Sequence, residues 1–288
     1  MEPRRCWPRV WCVLRADSRF RAGGCVLCLI IFVAAAAPFV AFHSPTAATP
    51  ARQFLPPGIE HPAGTDLLGR DVWSRVVWGG RLSLAAGAVA AALTVLPGSL
   101  LGLFSGYVGG RVDSFLMRVV DMALAFPTLL LALTIVSVLG PGLTSAALAV
   151  GCAGAPRFTR IVRAATLSVR YAPFIEAART IGCPPGRILL RHIAPFVLDT
   201  VIVLASLELG YALLNIGALS FLGLGAQPPA PEWGLMLTEG RAYLGVAPWI
   251  TAVPGCAITL TVLAVNLLGD ALRDALGLQA RDQGNGEG

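Results

Sequence analysis

"EAARTIGCPPGRILLRHIAP", residues Glu176 to Pro195, lies between two long apolar stretches of a chain rich in alanine, leucine, valine and glycine. It carries charge and is interrupted by Cys183-Pro184-Pro185-Gly186. Phe174 to Ile181 reads as a short helix, with Glu176 near its start, where the helix dipole favours an anion. Gly182 follows the last turn, the usual place for a left-handed cap. Pro184 and Pro185 cannot continue that helix but suit the opening of another. Ile188, Leu189 and Ile193 then supply an apolar side, with Arg187 and Arg191 beside them. The spacing predicts a helix–turn–helix, too polar to insert into a bilayer and too apolar to float freely. Two readings fit it: a basic loop lying on lipid headgroups, or a docking element that fills a groove on a soluble partner.

The rest of the chain explains why such an insert is unusual. Of 288 residues, 56% are hydrophobic and only 13% charged, against roughly 25% charged in soluble domains. The apolar residues fall in blocks of about 20, long enough to cross a hydrocarbon core as helix. The pattern predicts an all-α polytopic membrane protein, one integrated bundle with no separate soluble domain. Six transmembrane spans are expected, at about 25–42, 82–104, 119–139, 143–163, 195–222 and 248–269. The first follows an arginine-rich N-terminus, as a secretory signal would. Its length and the spans that follow favour a retained signal-anchor helix. In the fourth, Arg157, Arg160 and Arg163 recur at spacing three, so the helix should leave the membrane and continue into water with one basic side.

All 22 basic residues are arginine. With the N-terminus inside, the inner segments hold 17 of them and the outer segments 5, which fixes both termini in the cytoplasm. The organisation expected is a cytoplasmic segment at 1–24, a first helix at 25–42 and an extracytoplasmic segment at 43–81. A transmembrane core then spans 82–276 and contains the cytoplasmic loop 172–194, and a short tail follows at 277–288. The net charge of +6 is explained by this topology, so no nucleic-acid partner is expected; membrane lipid is.

Gly98, Gly102 and Gly106 sit four apart, a row of small residues that lets helix backbones approach closely. Pro97, Pro127 and Pro254 lie inside spans, where prolines kink helices. Catalysis finds no support. His43, His61 and His192 form no metal-ligand spacing, the absence of lysine rules out a Walker A loop, and no serine sits in a nucleophile elbow. The Cys25-x-x-Cys28 pair lies within an apolar span and reads as small apolar side chains. None of the seven cysteines falls in an outer loop, so no disulfide is expected. No catalytic residue, metal ligand or cofactor is assigned to this chain. Asp121, Asp199 and Asp270 lie near span ends, where pairing with nearby arginines suffices. Glu208 lies midway along the fifth span, where a charge costs roughly 2.5–3.5 kcal/mol. It must face a protein interface or a watery path, so an interhelical hydrogen bond and a translocation-pathway role are both open.

Glu176-Ala177-Ala178, Gly182 four residues beyond, and Pro195 thirteen after that resemble the "EAA" loop of ABC-importer permease subunits. The likeness extends to "HPAGTDLLGRDVWSRVVWGGRLSL" (61–84), "LSFLGLG" (219–225), "PPAPEWGLMLTEGRAYL" (228–244) and "NLLGDALRDAL" (266–276). In this order they resemble the C-type permease of dipeptide, oligopeptide and nickel importers. The resemblance implies a type I importer fold and a chain that forms half of a translocation pore. A homologous B-type permease would complete the pore. Two ATP-binding subunits would hold ATP and Mg, and an extracytoplasmic solute-binding protein would dock outside. The family's loop couples to the ATPases, which here would involve Glu176, Ala177, Ala178, Arg179, Gly182, Arg187 and Pro195. The setting implied is a bacterial inner membrane. Ala194-Pro195 replaces the usual Leu-Pro pair, the turn is Cys-Pro-Pro-Gly, and Ile216 stands where relatives often carry a glutamate. A peptide importer is the leading reading; a nickel or other small-solute importer, and a stand-alone secondary transporter, are the alternatives.

Overall fold

The computed structural model describes residues 14–284, with side chains described through Leu276. Cys6, Cys12 and the arginines at 4, 5 and 9 lie outside the described residues. The described residues are mostly helical: α1 (Ser18–Ala35), α2 (Ala37–Val40), α3 (Val72–Val108), α4 (Gly110–Leu124), α5 (Thr128–Leu139), α6 (Leu143–Arg170), α7 (Pro173–Thr180), α8 (Pro185–Arg187), α9 (Ala194–Phe221), α10 (Trp233–Gly240) and α11 (Trp249–Gly284). A π-helical segment, Ile188–Ile193, joins α8 to α9. Among the described residues the one extended pairing is an isolated bridge between Thr65 and Asp71.

Several expected boundaries move, each for a local reason. The first helix begins at Ser18 rather than Cys25, because Asp17 caps it by accepting a 2.7 Å hydrogen bond from the Arg19 amide. The Arg19 guanidinium also holds the Asp17 carboxyl below the usual carboxylate range and reaches Asp274 Oδ2 at 2.7 Å, tying the start of α1 to α11. The helix breaks at Ala36, before Pro38. α3, the helix of the second expected span, begins at Val72, ten residues before the expected 82, so the last part of the outer segment is helical. Asp71 provides its cap, taking the Ser74 amide at 2.7 Å. α11, the helix of the sixth expected span, continues through Gly284, so the expected tail at 277 is largely helix.

The third expected span is not one helix. α4 and α5 meet at an angle of 88° across Ala125–Pro127. Proline has no N–H and its ring excludes the helical conformation from the residue before it, so a break replaces the simple kink that Pro127 predicts. Among the described residues, four helices are long and apolar enough to cross a membrane: α1, α3, the continuous run Pro185–Phe221, and α11 to Leu276. The α4–α5 pair makes a fifth if counted as one span. Against the six expected, α6 falls short, because its glycines and arginines dilute its apolar character. By length and apolarity alone, the described residues offer four to five spans where six are predicted.

The bundle is built around the contact of α3 with α6. Ala90, Thr94, Gly98, Gly102 and Gly106 of α3 are buried in a single row. They face Gly151, Phe158, Thr159, Val162 and Thr166 of α6. At Gly102 an added Cβ would lie 2.6 Å from the Thr159 carbonyl oxygen, so the two backbones touch where only hydrogen fits. The glycine row does what its spacing predicts, and α6 is the helix it admits. Thr94 Oγ1 closes the seam by donating to the Gly151 carbonyl at 3.1 Å. α9 lies beside both helices: Ala212, Ile216 and Leu219 are buried together with Ala86, Ala90 and α6 residues Ala146 to Ala153. Ile216 thus fills apolar core where a glutamate would need a partner.

Candidate functional site: a docking element on the α6–α9 frame

The stretch that opened the reading folds on the polar end of α6. Pro173 occupies the first turn of α7 and Glu176 sits in that turn. Ile175 and Ala178, three apart, are buried. Glu176, Ala177 and Arg179 are exposed on the other side. The helix ends in a full Schellman cap: the Cys183 amide donates to the Ala178 carbonyl at 3.1 Å and the Gly182 amide to the Arg179 carbonyl at 3.0 Å. Gly182 has φ +79°, the left-handed geometry that the cap requires and that a side chain resists. The left-handed cap at Gly182 is the one its place after the last turn predicts.

The second half differs from expectation. Pro185 does open a helix, but that helix does not stand apart. It runs through the π segment into α9 as one body from Pro185 to Phe221. Pro195 has no N–H to give to the Arg191 carbonyl, which weakens the α-pattern at this point. The Ala194 amide instead bonds Leu189, five residues back. That wider turn brings Ile188 and Ile193 to the same buried position, each at most 2% exposed. They join Phe158, Val162, Ile175, Ala178 and Val197 in one apolar cluster. The element is therefore keyed into α6 and α9 from below, and Ala178 belongs to the key rather than to the surface. Pro195 is half-buried at the joint. Outside remain Glu176, Ala177, Arg179, Gly182 and Arg187, with Ile181 and Leu190 as exposed apolar side chains at 79% and 69%.

The arginine stripe of α6 extends this frame. Arg163 grips Asp113 of α4 with two 2.6 Å bonds, and Ser105 also donates to that carboxylate. Arg160 pairs with Asp121, as the reading of span-end acids predicts. Arg170 Nη1 donates to the Gly106 carbonyl at 3.1 Å. Arg157 Nη2 lies 2.8 Å from Glu208 Oε2 and its guanidinium stacks 4.7 Å from the Tyr211 ring. Glu208 is buried against the bare backbone of Gly154, so its carboxylate bridges α9 to α6.

A second polar cluster, absent from the sequence reading, holds the segment 43–81. Asp66, Arg70 and Arg75 are buried, and the partly buried Glu239 of α10 joins them. Asp66 Oδ2 takes Arg70 Nε at 2.6 Å and Arg75 Nη1 at 2.5 Å. Glu239 Oε2 takes Arg70 Nη2 at 2.8 Å and Arg75 Nη1 at 2.7 Å. Two cations and two anions balance, which is what burial of charge demands. Trp233 adds to the contact by donating its indole N–H to the Val76 carbonyl at 2.8 Å. The quoted motifs at 61–84 and 228–244 thus meet in space. Their acids and bases were visible in sequence, but no local pattern announces partners 164 residues apart.

The chain matches the family model described as "Binding-protein-dependent transport system inner membrane component" over residues 98–281. It also matches "N-terminal TM domain of oligopeptide transport permease C" over residues 6–57. It is 42% identical over 270 residues to the dipeptide transport system permease protein DppC of Alkalihalophilus pseudofirmus, covering 94% of this chain and 89% of that one. It is 45% identical over 220 residues to the glutathione transport system permease protein GsiD of Pectobacterium atrosepticum, covering 76% and 73%. Among solved structures it resembles an inward-facing form of the MetNI methionine ABC transporter, with a TM-score of 0.59 at 19% identity, covering 70% of this chain and 96% of that one.

Proposed function

This chain belongs to the family of inner membrane components of binding-protein-dependent transport systems, the permeases of ABC importers, and on that premise we propose that it forms half of the pore of an ATP-driven peptide importer. The observation that carries this reading is the docking element: an exposed α7 and turn, keyed by Ile175, Ala178, Ile188 and Ile193 into the two helices that flank it. In this reading the element lies in the cytoplasm, on the side that holds 17 of 22 arginines, and both termini lie there too. Glu176, Ala177, Arg179, Gly182 and Arg187 meet one of two ATP-binding partner subunits. Ala178 and Pro195 fix the element to the bundle.

ATP and Mg reside on those partners, which carry out the hydrolysis. Closure of the ATPase pair moves the element as a rigid body. The continuous helix Pro185–Phe221 and the cluster under α6 pass that motion to the pore-side packing, a two-state rearrangement of packed helices. Arg157 and Glu208 sit where α6 and α9 would slide, which makes Glu208 a pathway or gating residue. A homologous B-type permease completes the pore in the bacterial inner membrane, and a solute-binding protein delivers to the face built from 43–81 and 223–247. Peptides stand ahead of nickel because the relatives named above are named for a dipeptide and for glutathione.

The test is reconstitution. The chain, co-expressed with its neighbouring transport genes, should co-purify with an ATPase and support ATP-driven uptake of labelled di- or oligopeptides into proteoliposomes. Removing 174–193 should abolish both while leaving membrane insertion intact. Uptake that survives the deletion, or a chain that purifies with no ATPase, overturns the reading.

A further inference from the structure

His43, His61 and Asp71 are separated by eighteen and ten residues, spacings that read as no metal motif. The fold nevertheless gathers them. One ring nitrogen of each histidine and one Asp71 oxygen lie within 4.8 Å of one another. We propose that His43 and His61 form a binding site for a divalent transition cation, with Asp71 orienting His61.

Asp71 sets the arrangement. It is 2% exposed, caps α3 through Oδ2, and presents Oδ1 to His61 Nδ1 at 2.9 Å. A carboxylate only accepts, so His61 Nδ1 donates, and in the neutral ring that metal binding requires the lone pair stands on Nε2. His61 is buried at 6% exposure, and Nε2 has no hydrogen-bond partner among the described residues. A buried polar atom without a partner is uncommon enough to need an occupant. The second imidazole is close by: the His43 ring lies 4.7 Å from that of His61, centre to centre. Its backbone is pinned by a 3.1 Å bond from the His43 amide to Ser74 Oγ, while its side chain is on the exposed side.

Carboxylate behind one imidazole, free nitrogen in front, is how proteins fix the tautomer of a metal-binding histidine. Two donors on one Zn²⁺ lie at most about 4.2 Å apart, since each Zn–N bond is about 2.1 Å. Rotation of the exposed His43 ring supplies the remaining closure. Imidazole nitrogens select Zn²⁺, Ni²⁺ or Cu²⁺ over Mg²⁺ and Ca²⁺, and water completes the coordination. The bound ion would tie the segment just after α2 to the loop at His61, which Asp71 in turn fastens to the start of α3. This is a fastening role, separate from transport of any solute.

The test uses the full chain in lipid nanodiscs, with a purification tag free of histidine and with thiols blocked by N-ethylmaleimide. ZnCl₂, NiCl₂ and CuCl₂ are titrated by calorimetry, and the Cu²⁺ form is read by electron paramagnetic resonance. One equivalent should bind, the Cu²⁺ spectrum should show coupling to nitrogen, and His43→Ala should weaken binding at least tenfold. His43→Ala keeps the backbone bond to Ser74, so its fold is preserved; Asp71→Asn should weaken binding by about 10–100-fold through loss of His61 orientation. Absence of stoichiometric binding, a copper spectrum without nitrogen coupling, or equal affinity in His43→Ala overturns the site. None of these readouts depends on ATP or uptake, so their failure leaves the transport reading untouched.

Discussion

Arg157 Nη2 lies 2.8 Å from Glu208 Oε2, joining α6 to α9 at a point where a carboxylate is buried among long apolar helices. The arrangement is asymmetric. Glu208 is buried, whereas the Arg157 side chain is 41% exposed and rests on Tyr211. Losing the arginine strands a buried charge; losing the glutamate leaves a cation that water still reaches.

The asymmetry predicts unequal mutants. Removing one partner of a fully buried pair costs about 3–5 kcal/mol, and the exposure of Arg157 reduces that to about 1–3 kcal/mol for Arg157→Ala. Glu208→Gln should cost less, since the amide keeps an acceptor for Arg157. The double variant Arg157→Ala/Glu208→Gln should be no less stable than Arg157→Ala alone. Thermal unfolding of the four proteins in detergent checks this. Purely additive losses would show that the two side chains do not depend on each other.

Gly182 offers a test of coupling with little confounding clash. A Cβ there meets nothing within 4 Å, so its constraint is the backbone alone, φ +79°. Gly182→Ala should cost about 1–2 kcal/mol of local strain, and Gly182→Val more, because its branched side chain resists that conformation. Both should insert and assemble normally while ATP-driven uptake falls, steeply for valine. The charge-reversing Glu176→Lys, on the exposed side of α7, should act likewise without touching the cap. Wild-type uptake rates in all three would remove 174–193 from the coupling path.

Gly102 presents the opposite case. Its added Cβ would meet the Thr159 carbonyl at 2.6 Å, and a backbone oxygen cannot turn aside. Gly102→Val should therefore separate α3 from α6 and cost about 1–3 kcal/mol, as overpacking does in cores. The readout is a lowered unfolding temperature of the purified protein in detergent. A variant with wild-type stability would mean the seam is looser than its contacts indicate.

These contrasts explain what sequence could convey. The Gly182 cap was legible because a left-handed turn is a local matter, settled by residues within one helical turn. The small-residue row was legible as a seam but not as a pair, since spacing names no partner. The early start of α3 was masked: Arg75 and Arg81 lower the apolar character of 72–81, although Asp71 is a good cap. Arg75 is tolerated only because Asp66 and Glu239 neutralise it, and that pairing depends on the folded chain. At Pro127 sequence indicated a bend and could not give its size. The continuity of Pro185–Phe221 was hidden by the very proline that ends the motif, since a π turn absorbs the missing bond.

The buried tetrad gives the last prediction. Glu239→Ala leaves Arg70 and Arg75, each at most 2% exposed, facing Asp66 alone, so one positive charge is buried without compensation. The cost should be about 3–5 kcal/mol, released by local opening of the segment before α3. Glu60→Ala is the matched control: its partner Arg52 is 3.4 Å away and both side chains are exposed, so its loss should lie within about 1 kcal/mol. Limited proteolysis between residues 44 and 70 should accelerate strongly in Glu239→Ala and remain unchanged in Glu60→Ala. Adding Arg75→Met to Glu239→Ala should recover much of the protection, because it removes the uncompensated charge and keeps apolar volume. If the double variant is cleaved as fast as Glu239→Ala, the defect is lost packing against α10 rather than a stranded arginine.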